Sequence, residues 1–288
     1  MILGVHGNAA RFAGITGQQS EIRHTFMTYG EGSALQRILS TMSPVPLLAL
    51  NTTSSQTPRG IALGVTDQFL FQLNAAIASW PGDRFYVRPF PEMNAYWVKS
   101  CAYNANGSPR GAAYSTRWNR KALARIAVIL RGGTHDVLDG QLARLGLPQV
   151  TADLPVTTPK LRIVWNPQGF GAPDVPGNSA QAYYPGDAYV DVVGDDLYDI
   201  RGHGATWAAA EALYKAHPSK PYAFPEWGVW GFDDPAFVRA MATFVRQHSR
   251  VEFMAYFSGD AGSVWDLASK PASRVAYRTV ITPLGATP

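Results

Sequence analysis

Short apolar runs alternate along the chain with longer segments of helical periodicity. Residues 2–5 (I-L-G-V) predict a first strand ending at His6-Gly7-Asn8, and a short helix is expected at 20–22 before strand character resumes at 24–29 (H-T-F-M-T-Y). Residues 33–42 read as helix, and 45–50 (V-P-L-L-A-L) as a third strand that closes at Asn51-Thr52-Thr53. A loop through Pro58 and Gly60 leads to Thr66-Asp67-Gln68, an N-cap signal for a helix whose apolar positions Phe69, Leu70, Leu73, Ala76 and Ile77 recur at helical spacing.

The fourth strand comprises Phe85, Tyr86 and Val87, aromatic and β-branched residues that suit a buried parallel strand. Pro89 and Pro91 lack a backbone donor and stop it, so Glu92 and Asn94 project from the loop beyond its C-terminal end. An Asn-, Gly-, Ser- and Tyr-rich stretch over 102–115 has the composition of an active-site loop, and a basic helix over 116–131 follows until Gly132 and Gly133. Strands are then predicted at 161–165 (L-R-I-V-W), 189–193 (Y-V-D-V-V), 221–224 and 251–257 (V-E-F-M-A-Y-F), with helices at 206–216 and 235–248. The seventh strand delivers Pro225-Glu226-Trp227-Gly228.

Eight strand-helix repeats predict a closed (β/α)8 TIM barrel, an α/β fold occupying residues 1–288 as one domain. An open doubly wound sheet would carry a glycine-rich phosphate turn after its first strand, and Gly4, Gly7, Gly14 and Gly17 do not match that pattern. The chain also has no Walker motif, no H-E-x-x-H and no G-x-S-x-G, which leaves phosphoryl transfer, zinc hydrolysis and serine esterase chemistry without an anchor.

Composition narrows this further. Of the 288 residues, 46% are hydrophobic and 16% charged, enough apolar material for a barrel-sized core and too little charge for a disordered or coiled-coil chain. The formal charge of +4 comes from Lys and Arg scattered along the chain without a basic run, so no nucleic-acid partner is inferred. Cys101 is the single cysteine, which rules out an intramolecular disulfide or a cysteine-based zinc cluster. No apolar run reaches membrane-span length, and Met1 leads directly into the first strand, so the chain reads as cytosolic or as a mature domain whose leader was replaced by Met1. A monomer without cofactor or metal is expected.

The chemistry centres on two carboxylates. Glu92 leaves the fourth strand and Glu226 the seventh, both at the C-terminal face where barrels of this kind place catalytic groups, and aromatic residues follow each. With carboxyls about 5–5.5 Å apart, one attacks the anomeric carbon while the other protonates the leaving oxygen; a wider gap admits water and inverts configuration. Asn94 suits sugar hydroxyls, and Trp97, Trp227 and Trp265 suit the C–H faces of pyranose rings, whereas Trp165 is assigned to packing. Asp195 and Asp196 lack clustered His or further carboxylates, so substrate contact and loop capping are expected there rather than a metal pair.

The stretch R-P-F-P-E-M-N-A-Y-W at 88–97 resembles the acid/base motif of glycoside hydrolase family 26, the β-mannanase family, in which Arg-Pro-Phe-His-Glu-Met-Asn-Gly precedes a Trp. The Y-Y-P-G-D-A-Y-V-D-V-V-G-D-D-L-Y stretch at 183–198 resembles that family's sixth-strand region, A-F-P-E-W-G its nucleophile strand, and W-N-P its fifth strand. The resemblance covers residues 84–228 in ordered blocks. It implies a retaining, endo-acting β-glycanase in which Glu92 is the acid/base, Glu226 the nucleophile and Tyr198 its hydrogen-bond partner, with Arg88, Asn94, Trp97, Asp196, Trp227 and Trp265 toward substrate. It also implies secretion. Pro91 stands where the family has His, and Ala95 where it has Gly, which leaves open whether the polysaccharide partner is β-mannan, mixed-linkage glucan or xylan.

Two other readings compete. A noncatalytic carbohydrate-binding barrel keeps the aromatic mouth but needs neither glutamate. A metal-dependent sugar isomerase or deacetylase needs a His and carboxylate cluster that the sequence lacks.

Overall fold

The computed structural model describes residues 1–201 and 203–285. Eight parallel strands close in sequence order: β1 (Ile2–His6), β2 (Ile22–Thr28), β3 (Val45–Asn51), β4 (Phe85–Pro89), β5 (Leu161–Trp165), β6 (Val192–Ile200), β7 (Tyr222–Trp230) and β8 (Val251–Phe257). This is a (β/α)8 TIM barrel. The helices are α1 (Ala9–Thr16), α2 (Leu35–Leu39), α3 (Pro58–Ala62), α4 (Asp67–Ser79), α5 (Thr116–Arg131), α6 (His135–Arg144), α7 (Trp207–Ala216), α8 (Pro235–Gln247) and α9 (Pro271–Ala276).

Strand alternation sorts the side chains into two cores. Ile22, Leu47, Tyr86, Val164, Val192, Ala223, Phe253 and Ala255 form a small buried cluster inside the barrel, while their neighbours Leu48, Val87, Ile163 and Val193 belong to the larger cluster under the helices. Two residues up from the inner apolar layer the same faces carry polar groups: His24 after Ile22, Arg88 after Tyr86, Asn166 after Val164. The barrel interior therefore changes from hydrocarbon to charge as it rises toward the C-terminal ends of the strands, and that gradient defines the site.

Local chemistry fixes the helix ends. Asp234 caps α8 by accepting from the backbone N–H groups of Ala236 and Phe237 at 2.8 and 3.1 Å, with Pro235 in the first turn. The predicted 116–131 helix ends at Gly132, whose φ of +71° suits glycine and whose added Cβ would lie 1.9 Å from the Pro155 carbonyl oxygen.

Several elements differ from expectation. Residues 20–22 are not helical; the first helix is α1, capped by the Asn8 side chain on Arg11 N–H at 2.9 Å, and Gln18 and Ser20 form a buried polar turn before β2. The loop through Pro58 and Gly60 is helix α3, because Thr57 caps Gly60 N–H at 3.0 Å and Pro58 occupies the first turn. Helix α6 was not anticipated, and β5 reaches β6 through two 3-10 turns, Ala180–Tyr183 and Asp187–Tyr189, in place of a helix.

The largest difference is in β6 and β7, which run on through Asp196, Tyr198 and Glu226. Gly, Asp and Pro weaken a strand, yet each is accommodated here. A Cβ on Gly194 would sit 2.8 Å from Pro225 Cγ and 3.2 Å from Asn166 Cβ, so only glycine permits this close approach of strands. The β6–β7 register shifts between Gly194 and Asp196, and the β7–β8 register shifts between Phe224 and Trp227, irregularities that absorb Pro225 and re-aim the neighbouring carboxylates.

Candidate active site

Register brings the charged residues together before any loop is considered. Arg88 pairs with the small Ala49 of β3, and Asp196 of β6 pairs directly with Glu226 of β7. Arg88 is fully buried and forks between them: Nη2 donates to Asp196 Oδ2 and Nη1 to Glu226 Oε1. The second oxygen of Glu226 accepts a hydrogen bond from the Tyr198 hydroxyl at 2.8 Å. Below this pair Arg88 Nη1 lies 3.5 Å from His24 Nε2. Burial, then the charge of Arg88, drives the His24 imidazole well below its ordinary range, so the ring is neutral and can accept there.

Glu92 is placed by a strained turn. Phe90 and Glu92 both have positive φ, 52° and 54°, in the left-handed region that bulky residues avoid. Phe90 N–H bonds Leu50 O at 3.0 Å and Glu92 N–H bonds Asn166 O at 2.8 Å, so the neighbouring strand ends hold the turn. The carboxylate receives Trp97 Nε1–H on Oε2 and Gln168 Nε2–H on Oε1. Burial raises the Glu92 carboxyl above its usual range and the charge of Glu226 adds to this; the donors Trp97 and Gln168 and the guanidinium of Arg88 pull the other way.

The two glutamates line one cavity of about 270 Å³ at the barrel mouth, with Phe26, Asn51, Thr52, Trp97 and Lys99 among its other walls. Their settings contrast: Glu226 is buried and anchored through both oxygens by a cation and a phenol, whereas Glu92, less buried, rests on uncharged donors. Asp195 and Asp196 are also buried, and burial lifts Asp195 to about 7 and Asp196 well above the carboxylate norm. The Arg88 guanidinium opposes the shift at Asp196, and the Gly169 N–H opposes it at Asp195.

The structure gathers Arg88, Glu92, Trp97, Asp196, Tyr198 and Glu226 at this mouth, but not every residue is oriented as the sequence suggested. Asn94 is fully buried, donating to the Gln168 and Phe170 carbonyls at 2.9 Å each and accepting from Gln168 N–H at 2.7 Å, so its amide is used up on the β5 loop rather than offered to a hydroxyl. Trp227 is 0% exposed and stacks on Tyr277 at 5.5 Å, facing the outer core instead of the mouth. Arg88 and Asp196 lie beneath the cavity, where they touch Glu226. Trp265 is half-buried, 5.0 Å from both Trp230 and Phe257, whereas Trp97 is 48% exposed. Asp195 accepts from Gly169 N–H at 3.0 Å and so ties the β5 loop to β6.

Gln168, Phe26 and Lys99 escaped the sequence reading. Gln168 had a legible signal, since it follows the β5 end by three residues, as Glu92 follows β4. Among the described residues no group of three or more His, Cys, Asp or Glu is placed to hold a metal ion, and no helix is long and apolar enough to cross a membrane.

No family model matches the chain, and no curated protein sequence matches it. Solved structures do. A family 26 β-mannanase from Bacteroides ovatus is 13% identical, with a TM-score of 0.59 over 97% of this chain and 87% of that one. A ruminal family 26 endo-β-1,4-mannanase is 12% identical with a TM-score of 0.55; the match takes in 96% of this chain but only 62% of the ruminal one. A β-mannanase from a symbiotic protist of the termite Reticulitermes speratus, complexed with gluco-manno-oligosaccharide, is 14% identical with a TM-score of 0.54 over 98% and 86% of the two chains. At these identities the likeness is one of fold.

Proposed function

We propose that this chain is a retaining glycoside hydrolase that cleaves a β-linked polysaccharide internally by double displacement, in one catalytic barrel. The observation that carries the reading is the opening of Glu92 and Glu226 onto a single cavity in contrasting environments. Glu226, fixed through both oxygens by Arg88 and Tyr198, is oriented as the nucleophile. Glu92, whose protonated form burial and the Glu226 charge both favour, is the acid that protonates the leaving oxygen and the base that later activates water. Exposed Trp97 beside Glu92 offers a ring face to a sugar. Asn94 and Gln168 serve as supports of Glu92, and Asp196 as a support of Arg88.

The mannan-acting enzymes that share this fold make β-mannan and gluco-mannan the first substrates to test, with other β-glycans of plant and microbial origin alongside. Product configuration decides the mechanism: NMR of the first-formed product shows the retained anomer, and an inverted anomer overturns the nucleophile assignment. Glu226→Gln preserves volume but removes the attacking charge, so turnover falls to background while the fold and oligosaccharide binding persist. Wild-type turnover in that variant refutes the role.

A further inference from the structure

The Glu92 carboxylate is held by two arms, and both arms are tied down from elsewhere. The Gln168 arm is fixed by Asn94, as described above. The Trp97 arm is less obvious, because the indole is about half in solvent and its nearest aromatic neighbour is Tyr96, edge-on at 5.0 Å. Packing alone does not hold such a ring against a carboxylate.

The backbone beneath it is clamped instead. Arg110, some 13 residues onward in the long polar loop, points its guanidinium back under this segment. Nη2 donates to the carbonyls of Tyr96 at 2.7 Å and Tyr103 at 3.3 Å; Nη1 donates to those of Val98 at 2.7 Å and Lys99 at 2.9 Å. Its own N–H bonds the Ala102 carbonyl at 2.7 Å. Arg110 forms no ion pair among the described residues; besides the Tyr114 ring, whose centroid lies 5.9 Å from its Cζ, its guanidinium is engaged by these four bonds. The carbonyls it gathers bracket Trp97 on both sides, and a planar fork with fixed donors suits that task where a lysine would reach fewer of them.

We propose that Arg110 is a positioning residue for catalysis: by fixing the backbone on both sides of Trp97, it keeps the indole N–H on Glu92 Oε2 and so holds the acid/base in register with the glycosidic oxygen. This rests on the reading of Glu92 as acid/base, but the contact from Arg110 through Trp97 to Glu92 can be observed without turnover. In the full chain labelled with ¹⁵N-Trp, the Trp97 Nε1–H resonance, assigned by its loss in Trp97→Phe, shifts with pH as Glu92 titrates, and Glu92→Gln abolishes that step. In Arg110→Ala the step disappears and the indole proton exchanges faster with solvent, while the other Trp resonances keep their positions. Should Arg110→Ala fail to fold, Arg110→Lys carries the same test, with a diminished step.

Kinetics then separates positioning from mere structure. On soluble glucomannan kcat falls about 10–100-fold in Arg110→Ala with KM little changed, the scale expected for a catalytic group displaced by about 1 Å. A dinitrophenyl β-mannobioside, whose leaving group needs no proton, loses far less in its glycosylation step. Trp97→Phe added to Arg110→Ala costs little more, because both act through one contact. An unchanged Trp97 titration in Arg110→Ala overturns the clamp whatever the enzyme cleaves. Equal losses on the two substrates, or additive losses in the double variant, overturn its catalytic role.

Discussion

Arg88→Met removes the guanidinium lodged between Asp196 and Glu226 while keeping most of the aliphatic stem, so little cavity is created. The Arg88 and Asp196 side chains are 0% exposed and that of Glu226 is 9% exposed, which leaves water almost no access to take over the lost charge. Stripping one partner from a buried ion pair costs about 3–5 kcal/mol. At about 2–4 °C per kcal/mol for a chain of this size class, the thermal midpoint should fall by about 6–20 °C. The sign of the pH dependence follows from the acids left behind. Burial already raises Asp196 and Glu92 above their ordinary values, with Arg88 opposing it in both. Without Arg88 they rise further. An acid whose folded value exceeds its unfolded value destabilises the fold as pH climbs between the two, because the unfolded chain releases the proton first. The unfolded chain is common to both proteins, so the deficit of Arg88→Met is smallest at acid pH, where both folded proteins hold these protons, and widens as pH climbs past the raised values these acids have in the wild-type fold. Urea unfolding followed by circular dichroism across that range measures it, and Asp196→Asn in the same background should recover part of the loss. A deficit under about 1 kcal/mol, or one that does not change with pH, refutes the shared-guanidinium account.

Other outcomes follow from the same geometry. In Glu92→Ala the alkaline limb of the pH-rate profile should vanish, aryl glycosides with good leaving groups should lose much less than polysaccharide, and azide should speed breakdown of the trapped intermediate; equal losses and no azide effect would pass the acid role to another carboxylate. Trp227→Ala should cost about 3–5 kcal/mol of stability as a core truncation, whereas Trp97→Ala should leave the unfolding midpoint nearly unchanged and weaken oligosaccharide binding; the reverse pattern would contradict their placement. Gly194→Ala should destabilise by about 1–3 kcal/mol, because its methyl meets the rigid ring of Pro225; a neutral result by thermal melt would show that β6 and β7 can part there.

Much of the barrel is readable because period-2 and period-3.6 patterns are local. Helix α5 and strands β5 and β8 fall where the apolar spacing puts them. Strands β6 and β7 read short because Gly194, Asp195 and Pro225 are poor strand residues by themselves. What keeps them in the sheet is remote: Gly169 N–H on Asp195, Arg88 on Asp196, and the contact of Gly194 with Pro225. The motif around Glu92 brought its residues to attention but not their directions. Asn94 follows Glu92 at a spacing that suits substrate, yet its amide meets β5-loop backbone some 74 positions away. Trp227 follows Glu226, and strand alternation turns it outward. Arg88, by contrast, could be placed inward from Tyr86 by counting two.

The positive-φ turn at Phe90 and Glu92 bears on how such a site can be moved or copied. Ten consecutive residues contain the acid, its Trp donor and the strained corner, and would look like a portable cassette. The corner, however, is propped by Leu50 O and Asn166 O, one carbonyl from each flanking strand end. A graft of residues 88–97 alone would relax to a conventional turn and swing the carboxylate away. The smallest transplantable unit is three adjacent strand ends together with the β5 loop, so a new host must already be a parallel barrel with that stagger.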